Sequence, residues 1–384
     1  MRRLPILIAL PLLALMLIPG IALAQDDFGD ETPVFVNEIE RGRVLEVVTE
    51  EDIDDDWFVV GRQLLLVEIT SGTFRGQKHE IENLHTGVEF RDLYLQAGDQ
   101  VLLMLELDPE QGRLEGVYLH DIARDRYLYI LAAAFVVGLV LVARIKGIKA
   151  LATLLFMGVV IIYLLLPLIL RGHDPVLLTL AFASLITVFT LTVISGFNAK
   201  TLAAIGGTVG GLIIAALMAW VFGEVSSLTG FSSEEAQMLQ YAELPGELNI
   251  RGLLFAGIII GALGAVLDVA MSIAASVAEV RAANPRLTVK ELFESGYNVG
   301  KDILGTMVNT LILAYTGGAL PLLLLFMAYD MSYLQIINMD LIATEVVRSL
   351  AGSFGLLAAV PLTAILAAVF ISRQKRRPGG QPRA

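Results

Sequence analysis

The sequence predicts an α-helical polytopic membrane protein: about seven transmembrane helices after a signal peptide, with an N-terminal extracytoplasmic all-β domain of OB or SH3-like type. Three observations carry this. The chain of 384 residues is 56% hydrophobic and only 17% charged, too apolar for a soluble enzyme. Charge is segregated: residues 25–125 hold 25 of the 39 acids against 8 Lys/Arg, a net of −17, so the remainder of a −12 chain is +5. Apolar runs near the ~20 residues needed to cross a bilayer recur from Tyr127 onward.

Each element follows in order. Arg2 and Arg3 precede an apolar run from Leu4 to Pro19, and Ala22-Leu23-Ala24 precedes Gln25. This is a secretory signal pattern over 1–24, with cleavage expected after Ala24; an uncleaved anchor gives the same topology. Residues 25–125 form the acidic β domain. Strands are expected at 43–49, 63–69, 86–91, 100–107 and 113–120. Turn chemistry separates several of them, as at Ser71-Gly72 and Asp108-Pro109-Glu110-Gln111-Gly112. The acidic charge argues against nucleic acid as a partner. The run Glu50 to Asp56 lacks the glycine and ligand spacing of a calcium loop, so it reads as a solvated acidic loop. His79, His85, His120 and His173 have no metal-ligand spacing and read as surface residues. With no cysteine there is no disulfide or thiolate site, and no cofactor or metal is expected.

The transmembrane domain spans 126–371, ahead of a basic tail at 372–384. Its seven spans are expected at 127–143, 150–170, 175–194, 201–223, 253–276, 303–327 and 346–371. With the β domain outside, the cytoplasmic segments carry thirteen Lys/Arg, from Arg144 to Arg383. The opposite loops carry only Arg171 and Arg251. This is a strong positive-inside asymmetry and places the C-terminus in the cytoplasm. Ser232 to Glu235 and Thr288 to Glu291 are capping-box patterns. The second is expected to open a short interfacial helix ending at Gly296.

The candidate functional residues lie inside the spans. Gly257, Gly261, Gly264, Asp268, Ser272, Ser276 and Glu279 recur every three or four residues, one small-and-polar stripe on the fifth span. A carboxylate at the depth of Asp268 costs a few kcal/mol (about 3) even on lenient scales, and such groups face a bundle interior or a water-filled path. The sixth span carries Asn309 and Thr310, and the seventh carries Glu345, Arg348 and Thr363, with Pro361 nearby. Counting depth from the span ends puts Asp268, Asn309, Thr310 and Thr363 in one layer. That layer is the expected ion or solute site, suited to H⁺ or to Na⁺. Glu345 and Arg348, three residues apart near the outer end, are expected to gate or bind a charged solute; the alternative is an interfacial ion pair. Gly206-Gly207-Thr208-Val209-Gly210-Gly211 lacks the Lys-Ser/Thr ending of a phosphate loop and is expected to pack helices. Gly317, Gly318 and Pro321 are expected to break the sixth helix. Spans two to four and five to seven have opposite orientations, which fits an inverted repeat.

Three longer motifs then carry a resemblance. Gly261-Ala-Leu-Gly-Ala-Val-Leu-Asp-Val-Ala-Met-Ser272, Gly300-Lys-Asp-Ile-Leu-Gly-Thr-Met-Val-Asn-Thr310 and Thr344-Glu-Val-Val-Arg-Ser-Leu-Ala-Gly-Ser353 are similar to the YibE/YibF family of bacterial multi-pass membrane proteins. So are Gly317-Gly318-Ala-Leu-Pro321 and Val360-Pro361-Leu-Thr363. The resemblance covers about 127–371 and implies a transporter or permease, with no established activity to carry over. No paired histidine motif or Gly-x-Ser-x-Gly points to an enzyme. The expected function is secondary transport of a small solute or ion across the bacterial plasma membrane. The rival is a non-transport assembly or signalling protein whose exported β domain binds an envelope partner. The expected partners are the lipid bilayer, an unidentified small solute or ion, and a second copy of the chain or an envelope protein.

Overall fold

The computed structural model describes residues 36–373, apart from 54–58, 89, 109–111 and 243–244. The expected signal segment 1–24, much of the acidic run at 50–56 and the tail from 374 lie outside the described residues. The chain divides into two compact units near Gly138.

The first unit is a five-stranded antiparallel sheet curled into a half-barrel, in the order β3-β2-β1-β4-β5. The strands are β1 (Val36–Asp52), β2 (Gly61–Ile69), β3 (Lys78–His85), β4 (Gln100–Leu107) and β5 (Leu114–Ile122). β1 is long enough to pair with both β2 and β4, and it bulges at Val44/Glu46 and Val47/Thr49. Such bulges let a long strand bend. Strict alternation puts Leu65, Val67 and Ile69 of β2 and Val101, Leu103 and Leu105 of β4 inside, all fully buried. The third strand is displaced from the expected 86–91. Its inward positions are Ile81, Asn83 and His85, and two polar residues among three conceal the alternation. His85 is therefore buried, not a surface residue. Asn83 satisfies this polar floor: it donates to Gln63 Oε1 (3.2 Å) and to the Leu93 carbonyl (2.6 Å).

α1 (Asp125–Ala143) follows, with no buried residue. Residues 144–149 are not the expected loop. Arg144 alone, at φ 50°, turns the chain into α2 (Ile145–Val159). Its helix runs on through a π turn at 160–165 into α3 (Leu166–Leu170), which contains Pro167. A proline removes a backbone donor, so the ladder re-pairs one residue further on.

The membrane unit continues with α4 (Pro175–Ser195), α5 (Ala199–Val225), the short α6 (Glu234–Leu239), α7 (Ile250–Ala283), α8 (Val289–Gly318), α9 (Leu320–Ala328), the short α10 (Tyr333–Ile337) and α11 (Asp340–Arg373). Side chains of Asp174, Asn198 and Asn249 cap α4, α5 and α7. Ser233, not Ser232, caps α6. Among the described residues six helices are long and apolar enough to span a bilayer, and α8 with α9 makes a seventh, bent by 59°. The break falls at Ala319, between the two glycines and Pro321.

α5, α7 and α11 form the centre. α5 and α11 run antiparallel and touch through glycine: a Cβ on Gly211 would lie 2.8 Å from the Gly355 carbonyl and 3.0 Å from Ala359. A Cβ on Gly355 would lie 2.9 Å from Ala215 and 3.0 Å from the Gly211 carbonyl. The contact is reciprocal, and it gives the glycine-rich motif the packing role expected of it. The capping box at Thr288 and Glu291 is present, but its helix does not end at Gly296. Gly296 and Gly300 are buried where Val277, Ile273 and Val360 press against them, so these glycines permit close approach instead of ending the helix.

Candidate functional site

α7 is 34 residues long, ~51 Å at helical rise, and Asp268 lies near its middle. Most of the helix is buried: Ile258, Ile259, Ala262, Val266, Val269, Ala270 and Ile273 are wholly enclosed. One narrow face is not. Gly257, Gly261, Gly264, Asp268, Ser272 and Glu279 are all exposed. On one side of this stripe Met271 meets Ser195 of α4 (3.8 Å). On the other, Tyr315 of α8 lies against Gly261, and Gly296 and Gly300 lie against Val277 and Ile273. The stripe is thus the floor of a furrow between α4 and α8. No side chain fills it near the carboxylate, since a Cβ on Gly264 or on Gly257 would meet nothing within 4 Å. Asp268 has no hydrogen bond or ion pair among the described residues.

The expected four-residue layer is not assembled. α7 and α8 are antiparallel, and the pairs Val277/Gly296, Ile273/Gly300 and Gly261/Tyr315 fix their register. That register sets Asp268 level with Thr306. Asn309 lies ~4.5 Å further along α8. Asn309 and Thr310 are exposed, and the Thr310 hydroxyl donates to the Thr306 carbonyl (2.9 Å). Thr363 is fully buried against Gly207 of α5, and its hydroxyl has no partner among the described residues. The α8–α11 register (Gly300/Val360, Gly296/Ala364) sets it level with Tyr297, about two helical turns from Asp268. The reason for the difference is helix length. The expected span ends are 276 and 303, whereas α7 runs to Ala283 and α8 starts at Val289. Ser272 does share the exposed stripe with Asp268, one turn away.

Glu345 and Arg348 form an ion pair (Nη1 to Oε1, 2.6 Å), with side chains 23% and 31% exposed. Gly352 meets Leu311. In antiparallel packing, one turn back along α11 and one turn forward along α8 bring Arg348 opposite Tyr315. Tyr315 also lies within electrostatic reach of both Arg348 and Glu345. Its hydroxyl is buried without a partner among the described residues. Sequence reasoning passed over Tyr315. The available signal was a lone phenol in the apolar run Leu311-Ile-Leu-Ala-Tyr315.

Compared with known proteins, a family model described as YibE/F-like protein matches residues 131–373, from within α1 to the end of α11. No curated protein and no solved structure matches.

Proposed function

We propose, from the premise that this chain belongs to the YibE/F-like family, that it is a secondary transporter of the bacterial plasma membrane, coupled to H⁺ or Na⁺ through Asp268. One observation carries the reading: an unpaired carboxylate midway along a buried helix, open to a furrow with glycine at its floor. A carboxylate facing hydrocarbon is costly, whereas one facing a hydrated path or a bound cation is compensated. The reciprocal α5–α11 crossing supports two halves of opposite orientation that rock about it. The positive-inside asymmetry supports a β unit outside and a cytoplasmic C-terminus.

The test is ion and solute flux in sealed proteoliposomes, wild type against Asp268→Asn, with H⁺ and Na⁺ followed across a panel of small solutes. Solute-dependent ion flux that disappears in the variant is the expected result. Solute flux that persists unchanged in the variant removes Asp268 from the mechanism. The rival reading, an envelope partner for the β unit, draws on Phe90 and Tyr94, which are 85% and 61% exposed and four residues apart in the segment before β4. A partner captured through that loop, with activity indifferent to Asp268, would favour it.

A further inference from the structure

Tyr315, Glu345 and Arg348 are a polar cluster that the Asp268 reading does not use. We propose that they form a second site, which binds the oxyanion of a carboxylate- or phosphate-bearing ligand through the Arg348 guanidinium and the Tyr315 hydroxyl. A guanidinium offers five N–H donors in a planar fork, and Glu345 takes one nitrogen, Nη1. Glu345 is one end of a three-residue step on the same helix, so it holds the fork from one side only. Tyr315 supplies the next donor. Its hydroxyl is enclosed and unpaired, although a buried hydroxyl ordinarily finds a partner. Gly261 is what lets the Tyr315 hydroxyl lie against α7, since any side chain there would occupy the hydroxyl's place. Arginine with a neighbouring neutral donor is the arrangement that recognises planar or tetrahedral oxyanions. Glu345 then acts as the competitor that holds Arg348 when no ligand is present, so that the site exchanges its ligand instead of trapping it.

This site lies about two turns of α7 from Asp268 and does not require the transport reading to hold. Two sources supply such an oxyanion, a free solute or a lipid headgroup, and the experiment separates them. The full-length protein in a sugar-based, phosphate-free detergent is titrated calorimetrically with inorganic phosphate and with acetate. In parallel, phosphatidylglycerol retained from vesicles is counted by native mass spectrometry. Tyr315→Phe keeps the ring on Gly261 and removes only the donor, so it should weaken binding about three- to tenfold. Glu345→Gln removes the competing charge and should tighten it. Arg348→Gln should abolish it. The opposite signs at Glu345 and Arg348 are what a merely structural ion pair would not give, since breaking such a pair from either side costs stability alike. Saturable phosphate or acetate binding with this pattern supports a free oxyanion. Phosphatidylglycerol retention with the same pattern, and no binding of the free anions, supports a headgroup. Absence of both, or binding indifferent to Tyr315→Phe and Glu345→Gln, overturns the proposal.

Discussion

Replacing Gly211 by alanine tests the crossing on which the membrane unit is built. The new Cβ would lie 2.8 Å from the Gly355 carbonyl oxygen, 2.9 Å from Val266 Cγ1 and 3.0 Å from Ala359 Cβ. The oxygen belongs to the α11 backbone and has no rotamer through which to yield. Val266 is fully buried on α7, so the third helix blocks the other direction. The helices must separate, and overpacking of this kind costs ~1–3 kcal/mol. Alanine returns ~0.8–1 kcal/mol of helix propensity. With a backbone oxygen and a buried valine both blocking relief, the overpacking cost is taken at the middle of that range, ~2 kcal/mol, so the net loss is ~1 kcal/mol, or an apparent melting midpoint lower by ~2–4 °C for a unit of this size. Gly264→Ala is the internal control. It lies on the exposed stripe, where a Cβ meets nothing within 4 Å, so the midpoint should hold or rise. Thermal melting of both variants in one detergent decides the matter. A Gly211→Ala protein as stable as the wild type, or an equal fall for Gly264→Ala, would refute the crossing as described.

Three further outcomes follow from the same geometry. The Asp92 carboxylate accepts from Thr86 N (2.7 Å), Thr86 Oγ1 (3.0 Å) and Gly87 N (2.7 Å), and the Thr86 backbone bond leads in holding it below the usual Asp range. Its contribution is complete above the ordinary carboxyl value and is lost as pH falls through the lowered folded value. Hydrogen exchange of β-unit amides should therefore show acid loosening of the 86–94 loop, and Asp92→Asn should flatten that dependence. Thr288→Ala removes the hydroxyl that accepts from the Glu291 N–H and donates to the Glu291 carboxylate, leaves the backbone N–H of residue 288 on that carboxylate, and should cost ~1 kcal/mol, read as faster exchange confined to the first turn of α8. Leu103 is fully buried at the centre of the β unit, so Leu103→Ala should cost ~2–5 kcal/mol and unfold that unit first, read by urea denaturation against unchanged helix content.

The amino-acid order determined the helices by length and apolarity, and the β unit by alternation. It determined the break near Ala319, because two glycines and a proline weaken any helix, and the Thr288 cap, because that signal is local. It also singled out Asp268 as the leading candidate, since an Asp inside an apolar run is unusual whatever surrounds it. Levels and faces were decided by tertiary structure. Thr363 turns to Gly207 because α5 packs there, and Asn309 turns outward because Gly296, Gly300 and Leu311 claim the opposite face of α8. Strand β3 hid its period because Asn83 and His85 are buried with hydrogen-bond partners that lie far along the chain. Tyr315 acquired its neighbours only when the antiparallel register of α8 and α11 set it opposite Arg348. Local signals depend on a few adjacent residues, whereas depth and facing depend on contacts between helices whose ends the sequence marks only loosely.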